Sequence, residues 1–167
     1  MPHSRRSLGL ALISTVVSLS LPVGADPAAD ARKSIQAAYD SVSVAVEKRD
    51  IKGVTAFYTP DFQTTQRDGR RITLAEERRQ IQMMFLMMKN IKATQIVQTL
   101  TLKGNLATVT AKTHMEGIMF DPDTKRSHKF AGDNISLDSW VKGSRGWMLK
   151  NSRTLNERTL LDDKPQQ

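Results

Sequence analysis

The chain has 167 residues, with 25 Lys and Arg against 17 Asp and Glu, a formal charge of +8, and no cysteine. Without cysteine there is neither disulfide stapling nor lipid attachment at a cleavage site, so the fold must be held by its core. The basic residues form no run of like charge and are not interleaved with aromatics, which argues against a nucleic-acid surface.

Arg5 and Arg6 precede an apolar run over 8–23, and Val23-Gly24-Ala25 places small residues where a signal peptidase needs them. This pattern predicts a signal peptide over 1–25 and a periplasmic or secreted product. The apolar run is shorter than the roughly 20 residues of a membrane span, and Ser14, Ser18, Ser20 and Pro22 weaken it, so no stable membrane insertion is expected after cleavage. Ser4-Arg5-Arg6-Ser7-Leu8 also resembles a twin-arginine export signal, although the segment after the arginine pair matches only loosely. Removing 25 of the 167 residues leaves 142, enough for one domain, and losing two arginines takes the charge from +8 to +6. The domain is expected over 26–161, followed by a polar tail over 162–167 that should fray.

Ile35, Tyr39, Val42 and Val46 recur at steps of four, three and four, the stripe of an amphipathic helix over 31–48. Asp50 is positioned to cap a second short helix in which Val54, Phe57 and Tyr58 share a side and Pro60 is the stop. An extended run over 62–66, a turn at Arg67-Asp68-Gly69-Arg70 and a further extended pair, Arg71-Ile72, predict a small hairpin. Thr73-Leu74-Ala75-Glu76 is a capping box that opens a third helix, reaching about Lys89. That helix contains Met83-Met84-Phe85-Leu86-Met87-Met88, apolar on every side, so it should be covered on both sides. The methionines suit core filling, with cavity lining as the alternative. From Ile91 the period becomes two. Strands are predicted over 91–102, 106–120, 127–141 and 147–153, separated by turns at Lys103-Gly104-Asn105, Asp121-Pro122-Asp123 and Gly143-Ser144-Arg145-Gly146. Short connections make these strands antiparallel neighbours, and helices followed by a meander give an α+β fold.

This order of elements resembles the nuclear transport factor 2-like superfamily, including SnoaL-like domains. Glu47-Lys48-Arg49-Asp50-Ile51-Lys52-Gly53-Val54 and Phe57-Tyr58-Thr59-Pro60-Asp61-Phe62 resemble the family's exit from the first helix and its approach to the first strand. Asp68-Gly69-Arg70 resembles its usual turn, and Asp138-Ser139-Trp140-Val141 followed by Gly146-Trp147 resembles its closing hairpin. The likeness covers nearly all of the expected mature chain. It implies a cone-shaped, cystatin-like α+β domain with about three N-terminal helices on a curved antiparallel sheet, an apolar cavity between the layers, and frequent dimers. Members range from isomerases and cyclases to binding modules, so the fold does not settle the function.

In ketosteroid isomerase-like members a tyrosine on the first helix and an aspartate on the first strand serve as oxyanion donor and general base. Aligned without gaps from Asp50 and Asp61, those positions fall on Val42 and Gln66, which can do neither, and a steroid-type isomerase is disfavoured. Tyr39, one helical turn earlier, substitutes only if the register differs. Cyclase-like and dehydratase-like members use histidine and aspartate partners, and the mature histidines are His114 and His128. His114 and Glu116 share a strand face. The apolar phase of Ala107, Val109, Ala111 and Met115 gives the core to odd positions and puts that pair outside. Asp138 and Trp140 also share a face, which the resemblance turns toward the cavity mouth. There Asp138 is either a polar anchor or the partner of a neighbouring strand's Lys or Arg.

The pocket is therefore expected to be bounded by Tyr58, Phe62, Met84, Met88, Asp138 and Trp140. Asp121, Asp123 and Asp133 lack the spacing of a calcium loop, and no metal or cofactor is expected. The leading expectation is an exported module that binds a small apolar molecule or a partner. The alternative is a lyase or isomerase using Asp138, His114 or Tyr58, with the catalytic residues unassigned. Ile118 and Phe130, in the phase opposite to the main apolar set, predict a homodimer through the outer sheet face.

Overall fold

The computed structural model describes residues 26–165; the expected leader and Gln166 and Gln167 lie outside the described residues. Helix α1, Pro27–Glu47, begins where Asp26 accepts a hydrogen bond from the Ala28 amide at 2.9 Å and Pro27 fills the first turn. Its apolar stripe buries Ala31, Ile35, Ala38, Tyr39, Val42, Ala45 and Val46. Helix α2 is a single turn, Ile51–Val54, with Asp50 in the N-cap position but without a side-chain capping bond. The sequence expectation of a longer α2 reaching Tyr58 is corrected. Thr55 turns its hydroxyl back onto the Ile51 carbonyl at 3.0 Å, and strand β1, Tyr58–Thr65, starts three residues later. Pro60 is tolerated there because β1 pairs with its neighbour at Tyr58 and again only from Gln63.

Strand β2, Arg71–Thr73, closes the expected hairpin, with Gly69 at φ +85° in the turn. The capping box forms with both of its reciprocal bonds and opens helix α3, Leu74–Met87. This helix buries Ile81 and Phe85 but leaves Met83 and Leu86 55% and 73% exposed, so among the described residues nothing supplies the expected cover on the second side.

Four long strands follow: β3 Met88–Lys103, β4 Leu106–Asp121, β5 Arg126–Gly143 and β6 Gly146–Leu161. The sheet order is β2-β1-β6-β5-β4-β3, and a two-residue strand β7, Lys164–Pro165, pairs with β6. The meander is antiparallel, but β1 runs parallel to β6, so the sheet is mixed where a purely antiparallel one was expected. The polar tail is corrected up to Pro165. Asp162 accepts from the Lys129 amide and contacts His128 Nδ1 at 2.7 Å, and the turn through Asp162 and Asp163 delivers β7.

The helices lie on one face of the sheet, with α1 across β3. Arg32 and Gln36 donate to the carbonyls of Val97 and Gln95 at 2.5 and 2.7 Å, and Gln36 accepts from the Val97 amide at 2.9 Å. These bonds satisfy backbone groups of an edge strand that would otherwise invite another chain. Gly117 is required where β3 bulges between Lys89 and Lys92. A Cβ there would meet the Lys89 carbonyl oxygen at 3.0 Å and the Met88 methyl at 3.1 Å. Odd positions of β4 face the helices, as the phase predicts, and Ala107, Val109 and Ala111 are fully buried. Phe130 pairs with Gly117 on this same inner face and packs against the cluster around Phe85 and Met88. Only Ile118 of the two residues chosen for an outer apolar face therefore points outward, since register, not hydrophobicity, sets the side.

Candidate active site

Between α1, β1, α3 and the inner face of β3–β6 lies a cavity of about 220 Å³. The pairing register brings its sheet wall together as rows. Trp140 stands beside Leu149, Asp138 beside Ser152, Ser136 beside Thr154, and Asn134 beside Thr113, which in turn neighbours Gln95. Phe57, Tyr58 and Phe62 close the opposite side, with Tyr58 and Phe62 stacked at 4.1 Å between centroids. Thr64, Glu77, Asn134 and Thr154 line both this cavity and an open polar basin beyond it, so they form its mouth. Four of the six residues expected to bound the pocket, Tyr58, Phe62, Asp138 and Trp140, do line it. Met84 and Met88 belong instead to the second core cluster, because α3 ends at Met87 and Met88 turns into β3 beneath the far end of α1.

Asp138 is 3% exposed and faces no Lys or Arg, which removes the ion-pair alternative. The Tyr39 hydroxyl donates to its Oδ2, and Ser152 Oγ donates to its Oδ1 at 2.7 Å. Trp140 Nε1 donates to the Tyr39 oxygen at 3.1 Å, and the two rings meet edge to face at 5.2 Å. Burial raises the Asp138 carboxyl above the usual carboxylate range, partly opposed by the bonds from Ser152, Tyr39 and Ser136. Burial and the neighbouring Asp138 also push the Tyr39 hydroxyl far up, so it stays protonated and committed as a donor. Each Asp138 oxygen thus already accepts one hydrogen bond from the fold, which holds the carboxyl in place against Tyr39 and Ser152.

Glu77 is different. It is half-buried at the mouth, its carboxyl is raised by burial, and its one hydrogen bond is a long one from Thr64 Oγ1 at 3.3 Å. The Tyr58 hydroxyl makes no hydrogen bond among the described residues and is held far above its ordinary value by burial and then by Glu77 and Asp138, so it too remains a proton donor. Gln95 Oε1 and Asn134 Oδ1 are buried without a protein partner among the described residues. The cavity is therefore not the apolar one the sequence reading anticipated.

The other candidates lie elsewhere. His114 meets Asp133 at 3.0 Å on the outer face, Glu116 pairs with Lys92, and His128 holds the C-terminal turn. Val42 lines the cavity as an inert wall and Gln66 sits in the outer basin. Asp121 caps its own turn through Asp123 and Thr124, and no metal-holding cluster occurs among the described residues. Sequence reasoning passed over Glu77, Gln95 and Asn134, though each left a signal. Glu77 shares a helical stripe with Leu74, Ile81 and Phe85, and Gln95 and Asn134 fall in the core phase of their strands, where polar residues are rare.

No family model and no curated protein matches the chain. Many solved structures share its fold. A candidate scytalone dehydratase from Novosphingobium aromaticivorans is 12% identical, with a TM-score of 0.64 over 75% of this chain and 84% of that one. A hexachlorocyclohexane dehydrochlorinase, LinA type 2, is 11% identical, with a TM-score of 0.62 over 79% and 90%. A nuclear transport factor 2-like superfamily protein from Salmonella enterica serovar Typhimurium is 13% identical, with a TM-score of 0.57 over 75% and 90%. The chain thus has the nuclear transport factor 2-like, α+β fold that its motifs suggest, and proteins of this fold include enzymes.

Proposed function

We propose that the chain takes a small molecule into this cavity and acts on it by proton transfer, as a lyase or isomerase, with Glu77 as base and Tyr58 as donor. What carries this reading is the convergence on one space of a raised, underused carboxyl and a protonated, unbonded phenol. A base needs a free lone pair beside the proton it takes, and a donor must face the oxygen where charge develops. Glu77, with one long hydrogen bond, is freer to take a proton than Asp138, which accepts from Tyr39 and Ser152. Asp138, through Tyr39 and Trp140, fixes the floor of the cavity rather than reacting. Two proteins of the same fold are named for eliminations, which begin with loss of a proton, and this favours the enzymatic alternative over a purely binding module.

The test is a screen of small molecules that carry an acidic C–H next to a carbonyl or a leaving group, read by mass spectrometry, with wild type and Glu77→Gln side by side. Wild type should turn over at least one, and the variant should lose about 100-fold or more while retaining binding. A variant as active as wild type, or a wild type that converts none, removes Glu77 from the role. Turnover should climb with pH through a Glu77 value above the ordinary 4.3 or so, with no fall from Tyr58 before about pH 10.

Export remains part of the proposal. Cleavage after Ala25 would leave Asp26, the N-cap of α1, as the first residue, so the mature chain keeps its cap. Terminal sequencing of the exported fraction should begin at Asp26, and a full-length cytosolic product would defeat the claim.

A further inference from the structure

Gln95, Thr113 and Asn134 form one row across β3, β4 and β5, in register, and all three line the cavity. Backbone pairing accounts for the main chain there, but the two side-chain amides are not consumed by the fold. Buried Gln95 Oε1 and Asn134 Oδ1 lack any protein partner among the described residues, and no hydrogen bond involves their amide nitrogens or the Thr113 hydroxyl. An unpaired buried acceptor is costly, and a folded chain has few of them. Of the four such oxygens among the described residues, those of Ser43 and Thr59 lie apart, and these two stand on one row at one end of one cavity. The other end is chemically opposite, lined by Phe57, Phe62, Trp140 and Leu149.

We infer that the cavity selects a small aromatic molecule carrying hydroxyl groups, with its ring against Phe62 and Trp140 and a hydroxyl directed to the Gln95–Asn134 amides. The inference rests on the reading of the cavity as a substrate site and names the class of that substrate. A hydroxyl both donates and accepts, so it serves either orientation of each side-chain amide. The volume is suitable, since a cavity of about 150 Å³ holds benzene and this one, near 220 Å³, holds a substituted ring or a fused pair. The same placement brings the hydroxyl-bearing edge toward the mouth, where Asn134 and Glu77 stand together. Glu77 then faces the part of the ligand whose protons are acidic.

The experiment compares two probes of one shape, 2-naphthol and 2-methylnaphthalene, by titration calorimetry on the wild-type chain. A site built around these amides should bind the naphthol about tenfold more tightly, as expected for one or two neutral hydrogen bonds to buried partners. Replacing both residues, Gln95→Leu and Asn134→Leu, should abolish or reverse that preference while the methyl probe binds as well as before. Equal affinity of wild type for both probes overturns the inference, since the amides would then be satisfied by water, and so does failure to bind either. The wild-type comparison decides even if the double variant does not fold. A naphthol preference that survives alongside an unaltered Glu77→Gln variant would keep this inference and sink the catalytic role of Glu77.

Discussion

Beneath the first half of α1 the core is made of Tyr39, Phe62, Trp140 and Trp147, whereas beneath its second half it is made of Ile81, Phe85, Met88 and Ile91 with Met84, Met115 and Met119 against them. Both clusters seal the same helix onto the same sheet, yet the cavity of about 220 Å³ opens mainly along the aromatic one. The difference lies in side-chain mechanics. Methionine has three rotatable bonds and settles into irregular gaps. Aromatic rings are rigid plates, and when Tyr39 and Trp140 are tied to Asp138 and Ser152 they cannot swing to fill what lies between them. Polar residues at core-phase positions, such as Asn134 and Ser136, complete a space the surrounding side chains do not close.

That contrast can be broken from either side. The largest effect is expected for Trp140→Ala, which removes a 1% exposed indole and the donor that holds the Tyr39 hydroxyl. It should cost about 3–5 kcal/mol in denaturant unfolding, and a loss under about 1 kcal/mol would mean that the ring packs far more loosely than the structure has it. Asp138→Asn should cost less and reveal itself through pH. Because burial raises the folded-state carboxyl above the unfolded value near 3.9, wild-type stability from this group is fully present below about pH 4 and is lost as the pH climbs through the folded value. Asparagine does not titrate, so the stability of the variant relative to wild type should improve between pH 4 and 7. Urea midpoints at the two pH values measure this; a pH-independent difference would show that the hydrogen bonds cancel the desolvation, and a trend of the opposite sign that they outweigh it. The smallest effect is expected for Met88→Leu in the other cluster, under about 1.5 kcal/mol because the volumes match and the neighbours adapt. Probe binding in the cavity should be unchanged, and weakened binding would show that the two clusters are mechanically linked.

Much of the fold could be read along the chain because its determinants are local. The period of four and three at Ile35, Tyr39, Val42 and Val46, the capping box at Thr73 and Glu76, and the period of two from Ile91 act within a few residues of themselves. The α1 stripe even contained Tyr39, one turn from the position that family alignment favoured. Four of the sixteen residues of the cavity wall were similarly legible, Tyr58, Phe62, Asp138 and Trp140. The end of α2, the parallel pairing of β1 with β6 and the inward turn of Phe130 depend on register between segments up to about ninety residues apart, which no local pattern encodes.

The sequence by itself therefore determined which residues of an element share a face, including the polar ones at Glu77, Gln95, Asn134 and Asp138 with their apolar neighbours, because side-chain period follows from backbone geometry alone. Only the tertiary structure decided which of those polar residues become one another's partners. Asp138 lies 99 residues from Tyr39, and the two are tied to each other, to Ser152 and to Trp140, while Gln95 and Asn134 arrive at the same space with unpartnered side-chain oxygens and Glu77 with one long bond from Thr64. Hydrogen-bonding capacity is consumed pairwise in three dimensions, so what is left over for a ligand is fixed only once the chain has folded.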